Sequence, residues 1–388
     1  MTLPYSGPLS FSNIAGQFGN SGPISLSSYT RGGTYVPSII GNANQLIPAN
    51  TLAGIKVSNF QGATKVYTVT IGANTKQAYI GPAVAGGSNV TPSGYSLGDS
   101  LYIKIASNLY VWSDDTAVAG LTIATASNGQ TGITIDTSTN AYPAYIIGKG
   151  GTGGAGNVTS HIAPTAGGPA LNIFSTAGKA GSTVSVVLNG AYGYIAGGGG
   201  GGAYWEGSDS GSIIYGGGGG GAGGGDGGST YATRHGDNLI GGIGGAIGLI
   251  GANGASIGTT SPIGGTAGGR GGYHVTDGAG KTHDGSSAGS GGGRVLPGIG
   301  ATAGTAGGGG SNNSPGSNGS LSSLSAPGGG GGGWGARGGY AGSNADSYAS
   351  YVYSPGAGGP SIIYTSSYST ISFGNTQADR TYGAYLAV

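Results

Sequence analysis

Two short stretches of this sequence carry residue types that could do chemistry. Residues 278–282 read Gly-Ala-Gly-Lys-Thr, like the end of a phosphate-binding loop, but Val275 stands where that motif needs its first glycine. The other stretch holds imidazole and carboxylate groups, which are common ligands of divalent metals: His274, Asp277, His283 and Asp284. A polar loop tip has the same composition, and no strand pattern precedes the lysine. We therefore expect neither a nucleotide site nor a metal site.

Catalysis is not expected elsewhere in the chain. No pair of carboxylates and no arrangement of Ser, His and Asp stands out as an acid with its base or a nucleophile with its base. We expect a protein that is not an enzyme and that uses no cofactor.

Aromatic and polar residues between the glycine runs are better suited to binding. Tyr and Trp give large, rigid contacts, Ser, Gly and Asn adapt their hydrogen bonds, and aromatic faces beside amides suit sugars. For Trp334, packing against a glycine run is an equal alternative to binding. The candidate recognition residues are Tyr204, Trp205, Glu206, His235, Asp237, Tyr273, His274, Arg337, Tyr340, Asp346, Tyr348, Tyr351 and Tyr353.

The elements that must position these residues are runs of glycine. The main runs are residues 197–202, 216–221, 307–310 and 328–333. Ordering glycine costs more backbone entropy than ordering any other residue, so neighbouring segments of the chain must supply compensating hydrogen bonds. A polyproline II geometry allows this, because its backbone groups point outward, and six residues at ~3.1 Å give a rod of roughly 19 Å. We predict a bundle of polyglycine II helices with variable loops over residues 149–388.

Composition leaves disorder open as an alternative but favours an ordered chain. Of 388 residues, 95 are Gly and 16 are Pro, a level typical of low-complexity sequence. Disordered chains are usually charged and poor in aromatic residues. Here only 6% of residues are charged, 24 are Tyr, and the mean hydropathy is +0.01.

Charge and hydropathy also exclude classes of partner. The net charge is +1 without a basic run, so no nucleic-acid partner is expected. The chain has no cysteine, hence no disulfide or thiolate metal site. No apolar run approaches the ~20 residues that span a bilayer, so we expect no membrane insertion.

Residues 1–62 contain a short motif three times. The copies are Leu9-Ser-Phe-Ser-Asn-Ile14, Ile24-Ser-Leu-Ser-Ser-Tyr29 and Ile55-Lys-Val-Ser-Asn-Phe60. Ser12, Ser27 and Ser58 are candidate N-caps of a helical turn. Copies this small are expected to bury no core of their own, so we predict an attachment segment that docks elsewhere through Ile14, Tyr29 and Phe60. A loosely packed lead-in to the next domain is the alternative.

Residues 63–148 have the pattern of an ordinary β domain. Residues 65–71 alternate in polarity, and short β-branched or aromatic runs follow, separated by turn signals such as Asn128-Gly129. About six strands in this length predict a small β-sandwich or barrel. The predicted fold class is therefore mainly β plus irregular chain.

Two stretches resemble a known family. The Ser-Gly-Pro and Leu9-Ser-Phe-Ser-Asn-Ile14 element, followed by residues 28–33, Ser-Tyr-Thr-Arg-Gly-Gly, resembles the N-termini of glycine-rich tail proteins of tailed bacteriophages. Residues 167–173, Gly-Gly-Pro-Ala-Leu-Asn-Ile, with residues 184–190 and 195–202, are similar to the receptor-recognition domain of phage tail-fibre-tip adhesins. The resemblance covers about residues 1–62 and 148–388, and the predicted β domain between them departs from it.

The resemblance implies a virion protein of the phage tail. Its glycine rods would hold loops that bind a host cell-surface protein or glycan, and residues 1–62 would bind other phage tail or fibre subunits. A purely structural tail or baseplate protein is the main alternative. An ice-binding protein would need a flat, repetitive face of small residues, and a lyase spike would need an acid and base pair, so both fit this sequence less well.

Overall fold

The computed structural model describes part of the chain. The described residues are 3, 7–18, 25–31, 36, 47, 56–61, 63, 65–97, 99–125, 129–157, 159–175, 182–189, 193–209, 212–232, 237–239, 328–340, 351–352, 354–364, 369–373 and 381–387.

Each N-terminal motif forms a helical turn. Helix α1 spans Phe11–Phe18, and 3-10 turns span Leu26–Tyr29 and Val57–Phe60. The Ser10 amide donates to Asn13 Oδ1 at 2.9 Å, and the Asn13 amide donates to Ser10 Oγ at 3.1 Å, which is a reciprocal cap. The cap is thus the second residue of the motif, and the prediction of Ser12, Ser27 and Ser58 as N-caps is wrong, because all three lie inside the turns.

The three motifs pack against one another. Ile14, Tyr29 and Phe60, each the last residue of a copy, are at most 1% exposed and share one cluster with Phe18 and Val36. Phe18, Tyr29 and Phe60 meet edge to face, with ring centroids 6.0–6.4 Å apart. The expectation that the copies bury no core of their own is therefore wrong. We call residues 3–63 the N-terminal unit.

Three parallel sheets follow, with strands numbered in chain order. The first sheet contains β1 (Val66–Ile71), β5 (Ser100–Ile105), β8 (Gly129–Asp136), β13 (Ser182–Asn189) and β21 (Ser369–Phe373). The second contains β2 (Thr75–Lys76), β6 (Tyr110–Trp112), β9 (Ala144–Ile147), β14 (Gly193–Ala196) and β22 (Thr381–Tyr382). The third contains β4 (Ser88–Asn89), β3 (Ala78–Ile80), β7 (Leu121–Thr125), β12 (Leu171–Ser175), β20 (Ile362–Tyr364) and β23 (Tyr385–Ala387).

The chain visits the three sheets in turn, so each circuit adds one strand to each sheet, and β4 pairs with β3 as one additional strand at the edge of the third sheet. The circuits are β1–β2–β3, β5–β6–β7, β8–β9–β12, β13–β14–β20 and β21–β22–β23. This is a three-sided parallel β-solenoid. The prediction of a mainly β protein is confirmed, whereas the sandwich or barrel is wrong. Strands from both sides of the predicted boundary at residues 148 and 149 share every sheet, so residues 63–148 belong to the solenoid and form no separate domain.

The solenoid core consists of aliphatic ladders. In the third sheet, Ala78, Leu121, Leu171 and Ile362 are in register and each is fully buried. In the first sheet, Val69, Ile103 and Ile135 form a similar ladder. Strands enclosed in this way favour β-branched and other aliphatic residues, because every inward side chain packs on its equivalent in the next circuit.

The glycine-rich chain is inserted at one corner of the solenoid. The connection from the second to the third sheet is Gln77 alone in the first circuit and residues 113–120 in the second. It grows to residues 148–170 in the third circuit and 197–361 in the fourth. The glycine segments therefore continue directly from strands of the second sheet, at Ile147 and Ala196.

Aromatic side chains join this insertion to the solenoid. Tyr145 stacks between Tyr110 and Tyr194 of the neighbouring strands, with centroids 4.9 and 5.2 Å away. Trp334 packs against these stacked tyrosines. Its ring centroid is 5.6 Å from that of Tyr382, and the residue is only 2% exposed. Burial, with smaller contributions from the other two phenols, raises the pKa of Tyr145 to about 12. Of the two alternatives for Trp334, the structure shows packing.

Candidate functional site

The site is organised around residues 197–203, which we call the central segment. The Gly197 amide donates to Tyr382 of β22; from Gly198 to Ala203 the amides donate to three neighbouring segments in turn, and the same segment recurs at every third residue. Gly198 donates to Gly168 at 2.9 Å, and Gly201 donates to Thr165 at 3.0 Å. In the same way, Gly199 and Gly202 donate to residues 222 and 219, and Gly200 and Ala203 donate to residues 336 and 339.

The carbonyls of the central segment follow the same three-residue period toward other neighbours. Gly199 accepts from Gly151, and Gly202 accepts from Gly154, at 2.8 and 2.9 Å. Gly198 and Gly201 accept from residues 359 and 356, and Gly197, Gly200 and Ala203 accept from residues 335, 332 and 329. The backbone groups of residues 198–202 are thus all bonded to other segments, and we call the whole arrangement the glycine lattice.

Glycine is required in the lattice because the segments touch backbone to backbone. A Cβ atom on Gly198 would overlap the carbonyl of Lys149, and one on Gly200 would overlap that of Gly356. At Gly201 the overlap would be with the Thr152 carbonyl. No rotamer change relieves an overlap with backbone, so the density of glycine follows from the packing on every side.

One end of the lattice opens into two small sheets. The first contains β11 (Ser160–Ile162), β10 (Ala155–Asn157), β17 (Thr230–Ala232) and β18 (Asp237–Leu239). The second contains β16 (Ser212–Gly216), β15 (Trp205–Asp209) and β19 (Tyr351–Val352). The lattice segments that run parallel to the central segment lead into β10 and β17. The lattice segments that run antiparallel to it begin after β11, β16 and β19. All these strands therefore emerge at the same end, which we call the distal platform.

A histidine and a glutamate connect the two sheets of the distal platform. His161 Nδ1 of β11 lies 3.2 Å from Glu206 Oε2 of β15. The His161 ring also stacks on Tyr204, with centroids 5.9 Å apart and planes 14° apart. The His161 side chain is 27% exposed, that of Glu206 is 8% exposed, and Tyr204 is fully buried. The imidazole is therefore held in one orientation by two buried partners.

Burial has the largest effect on the pKa of the Glu206 carboxyl group. It raises the pKa of Glu206 above the usual range of a glutamate, and the nearby His161 opposes that rise. Tyr204 and Glu206 were predicted as recognition residues, and the expected surface position of both is wrong. In the structure both are buried and contact His161.

Arg337 and Tyr340 were also predicted as recognition residues, and the structure brings them together. The Arg337 guanidinium lies 4.9 Å from the centre of the Tyr340 ring, and both residues are exposed. They are three positions apart in residues 336–340, whose Ala336 and Gly339 carbonyls accept from the central segment. The three-residue period thus turns Ala336 and Gly339 inward and this pair outward.

The other predicted recognition residues are placed in part. Trp205, Asp237 and Tyr351 lie in β15, β18 and β19 of the distal platform. Outside the described residues are His235, Tyr273, His274, Asp346, Tyr348 and Tyr353. The same holds for the metal and phosphate-loop candidates of residues 274–284.

Sequence reasoning missed His161 and placed the attachment residues incorrectly. His161 lies in a short strand between two glycine-rich stretches, residues 148–156 and 166–168, and a loop so bracketed is the signal that could have found it. Ile14, Tyr29 and Phe60 are buried in the N-terminal unit, so they cannot contact another subunit directly. The exposed aromatic residue of α1 is Phe11, at 44%.

Within the described residues, no group of three or more His, Cys, Asp or Glu side chains could hold a metal ion. Among those same residues there is no helix with the length and apolar character needed to cross a membrane.

Comparison with known proteins gives one structural likeness. No protein-family model matches the chain, and no curated protein matches it. The chain is similar to the crystal structure of the gp37-gp38 adhesin tip complex of the bacteriophage S16 long tail fibre. The alignment covers 98% of this chain and 100% of the other, at 16% identity and a TM-score of 0.35.

Proposed function

We propose that this chain is a receptor-binding adhesin of a bacteriophage tail, which binds the host surface and catalyses no reaction. The observation that carries the proposal is the glycine lattice, whose segments are fixed by backbone hydrogen bonds and open into the distal platform at one end. Loops anchored at both ends on a rigid scaffold lose less entropy on binding than free loops do. A lattice of this kind suits a protein that must present variable loops in a fixed arrangement.

We infer that the lattice segments are polyglycine II helices. The three-residue period of the hydrogen bonds along residues 197–203 supports this, because a polyproline II backbone has three residues per turn and no internal bonds. The outward placement of Arg337 and Tyr340, three positions apart, supports the same period in a second segment.

The proposal gives the two ends of the molecule different partners. The distal platform and its loops would bind a host cell-surface protein or glycan, with His161 of the platform and with Arg337 and Tyr340 of the adjoining lattice segment as the described candidates that reach the surface. The N-terminal unit would attach to other tail or fibre subunits in the virion. Its buried core leaves exposed side chains such as Phe11 for that contact.

Adsorption of the full chain to host bacteria tests the proposal. The full chain is needed, because a fragment beginning at residue 149 would lack strands that β12, β13 and β14 pair with. The test variant replaces residues 341–350 by a Gly-Ser linker of equal length, which keeps every described residue that hydrogen-bonds to the central segment. The control variant is Tyr142→Ser, at a 59% exposed residue of a solenoid turn.

We expect the unmodified chain and Tyr142→Ser to bind the bacteria and compete with phage adsorption, and the linker variant to bind less. If the folded full chain does not bind at all, the adhesin proposal is wrong. The chain would then be better described as a structural tail or baseplate protein that contacts only other subunits.

A further inference from the structure

A cavity lies between the N-terminal unit and the first circuit of the solenoid. Its volume is about 590 Å³, within the ~300–1,000 Å³ of pockets that hold compact ligands. Helix α1 forms one wall with Asn13, Gly16 and Gln17, and Lys65 and Tyr67, at the beginning of β1, form the opposite wall. All the lining residues are described by the structure, and none belongs to the glycine lattice or the distal platform. The cavity is therefore a second candidate site.

The α1 wall carries two side-chain amides with unused hydrogen-bonding capacity in the described part of the chain. Asn13 Oδ1 accepts from the Ser10 amide at 2.9 Å, and the Asn13 Nδ2 donors and the Gln17 amide have no such partner. Asn13 and Gln17 are one helical turn apart, so their Cβ atoms are ~5–6 Å apart on one face. Peptide groups that point to the same side of an extended chain recur every ~6.6 Å. The two amides can therefore bond alternate peptide groups of one extended segment.

Gly16, on the same wall, leaves the backbone of α1 bare. A glycine inside a helix costs about 1 kcal/mol relative to alanine. Gly16 is exposed, and nothing lies within 4 Å of the position that its Cβ would take, so packing within the chain does not require a glycine there. A bare backbone lets a second backbone approach closely. The glycine therefore fits a wall along which another peptide segment runs.

The charges of the lining balance one another. Its charged side chains are Lys65 and Asp99. The Asp99 residue is 2% exposed, and its Oδ2 accepts from the Ser96 amide at 3.1 Å. A lining with one cation and one carboxylate suits an uncharged ligand better than an anion or a cation.

The aromatic ring of the lining is already in use, which favours a peptide over a sugar. The Lys65 Nζ atom lies over the Tyr67 ring, 4.5 Å from its centre. The Tyr95 ring packs against the Tyr67 ring at 5.7 Å, with the planes at 88°. A sugar would need an open aromatic face. The other apolar lining includes Leu3 and Leu9, which suit an aliphatic side chain.

We propose that this cavity binds an extended, uncharged peptide segment of another subunit that carries one aliphatic side chain. The segment runs along α1, where Asn13 and Gln17 bond its peptide groups and Gly16 lets its backbone approach. Its aliphatic side chain packs against Leu9. The inference rests on the attachment role proposed above for the N-terminal unit, and it specifies the chemistry of that contact.

Selection from a random heptapeptide display library tests the proposal. The library is enriched on the immobilised full chain and depleted on the full-length variant Gly16→Trp, whose indole occupies the space beside α1. Synthetic peptides from the enriched pool are then titrated against each variant by fluorescence anisotropy. We expect uncharged sequences with one aliphatic residue, whose binding is lost in Gly16→Trp. In Gln17→Ala, binding should be roughly 2- to 10-fold weaker, as for the loss of one hydrogen bond.

Gly72→Trp is the matched control. Gly72 follows β1, is exposed, has nothing within 4 Å of its Cβ position and does not line the cavity. It lies five residues beyond Tyr67, or roughly 16 Å along an extended strand. We expect this variant to bind the peptides as tightly as the unmodified chain does. Thermal unfolding of both tryptophan variants shows whether each is folded, and Gln17→Ala tests the site without adding volume.

Three results would overturn the proposal. One is a library from which no peptide is enriched on the full chain. Another is a set of peptides that bind Gly16→Trp and Gln17→Ala as tightly as the unmodified chain. The third is a glycan array on which the unmodified chain binds a sugar that Gly16→Trp does not, which would assign the cavity to a sugar. No measurement here uses bacteria, so this proposal and the adhesin proposal can fail separately.

Discussion

Single side chains in this molecule obtain their roles from strands that are distant in sequence. Glu206 is polar and follows Tyr204 and Trp205 in the sequence, which predicts a contact residue, but β15 buries it against β11. Its partner His161 precedes it by more than forty positions, and no local pattern links the two. Arg337 and Tyr340 could be predicted as a pair, because their spacing and the glycines between them are local.

Replacing His161 tests whether it stabilises a buried carboxyl group. In His161→Ala, the Glu206 carboxyl group would lose its neighbouring imidazole while it stays in a buried position. We expect the free energy of unfolding to fall by about 1–3 kcal/mol, between the values for exposed and fully buried pairs. Denaturant titration at neutral pH measures it. The double variant with Glu206→Gln should recover much of the loss, and simple additivity of the two changes would show that the pair is not coupled.

A second residue pair predicts a pH dependence. Burial alone would raise the pKa of Asp136, but hydrogen bonds from Tyr102 and Ser138, and the charge of Lys104, lower it below the ordinary 3.8. A carboxyl whose pKa is lowered by folding stabilises the fold above its ordinary pKa, and that stabilisation is lost as the pH falls through the folded-state pKa. Burial first, and then Asp136, raise the pKa of Tyr102 to about 12, so its hydroxyl remains a donor.

Tyr102→Phe removes this donor with little change of volume. We expect a loss of about 1–3 kcal/mol in unfolding free energy near neutral pH, which is typical of a hydrogen bond to a charged group. The difference from the unmodified chain should shrink when unfolding is measured at pH values below the ordinary pKa. An equal difference at both pH values would mean that the hydroxyl does not stabilise the ionised carboxylate.

At the scale of elements, glycine content predicted the segments but not their arrangement. The runs at residues 197–202, 216–221 and 328–333 are all lattice segments. Thr165 and Ala336 are not glycine, yet their carbonyls accept hydrogen bonds from the central segment. Nothing in the sequence distinguishes these two lattice residues from residues of a loop. The reason is that the lattice is defined by contacts between segments, whereas sequence periodicity reports only local conformation.

Substitution of one lattice glycine should be costly. In Gly200→Ala, the new Cβ would overlap the Gly356 carbonyl, and separating the two segments would strain the bonds that fix both. We expect a loss of at least about 3 kcal/mol in unfolding free energy, or failure to fold. Gly16→Ala is the matched control, because nothing lies within 4 Å of its Cβ in α1, and it should gain up to about 1 kcal/mol. Similar stabilities for the two variants would contradict the close packing.

For the whole molecule, the sequence predicted the class and missed the architecture. Short β-branched runs predicted strands at positions close to the observed β1, β5, β7 and β8, which is why a mainly β fold could be expected. They could not show that each strand pairs with one a full circuit away. Residues 169–173, 182–188, 362–364 and 370–373 also read as strand-like, but their partners in the solenoid are separated from them by the lattice.

Cutting the chain at the change in composition should therefore unfold the C-terminal piece. We expect residues 149–388 alone to lack cooperative unfolding, because β12, β13 and β14 would lose their partner strands β7, β8 and β9. Near-ultraviolet circular dichroism and limited proteolysis measure this. Co-expression with residues 1–148 should restore a protease-resistant complex. A cooperatively folded 149–388 fragment would contradict the shared sheets.

The position of the insertion also dictates an order of assembly. Leu171 pairs with Ile362, so nearly half of the 388-residue chain must leave the ribosome between one rung of the third sheet and the next. Contacts of such sequence separation form slowly, because loop closure must precede the stabilisation they give. Until β20 arrives, the fourth circuit has two sides and an uncovered aliphatic interior. The third side of the fourth circuit is thus added only after residue 364 has been synthesised, and until then the nascent protein exposes an aliphatic surface that favours aggregation.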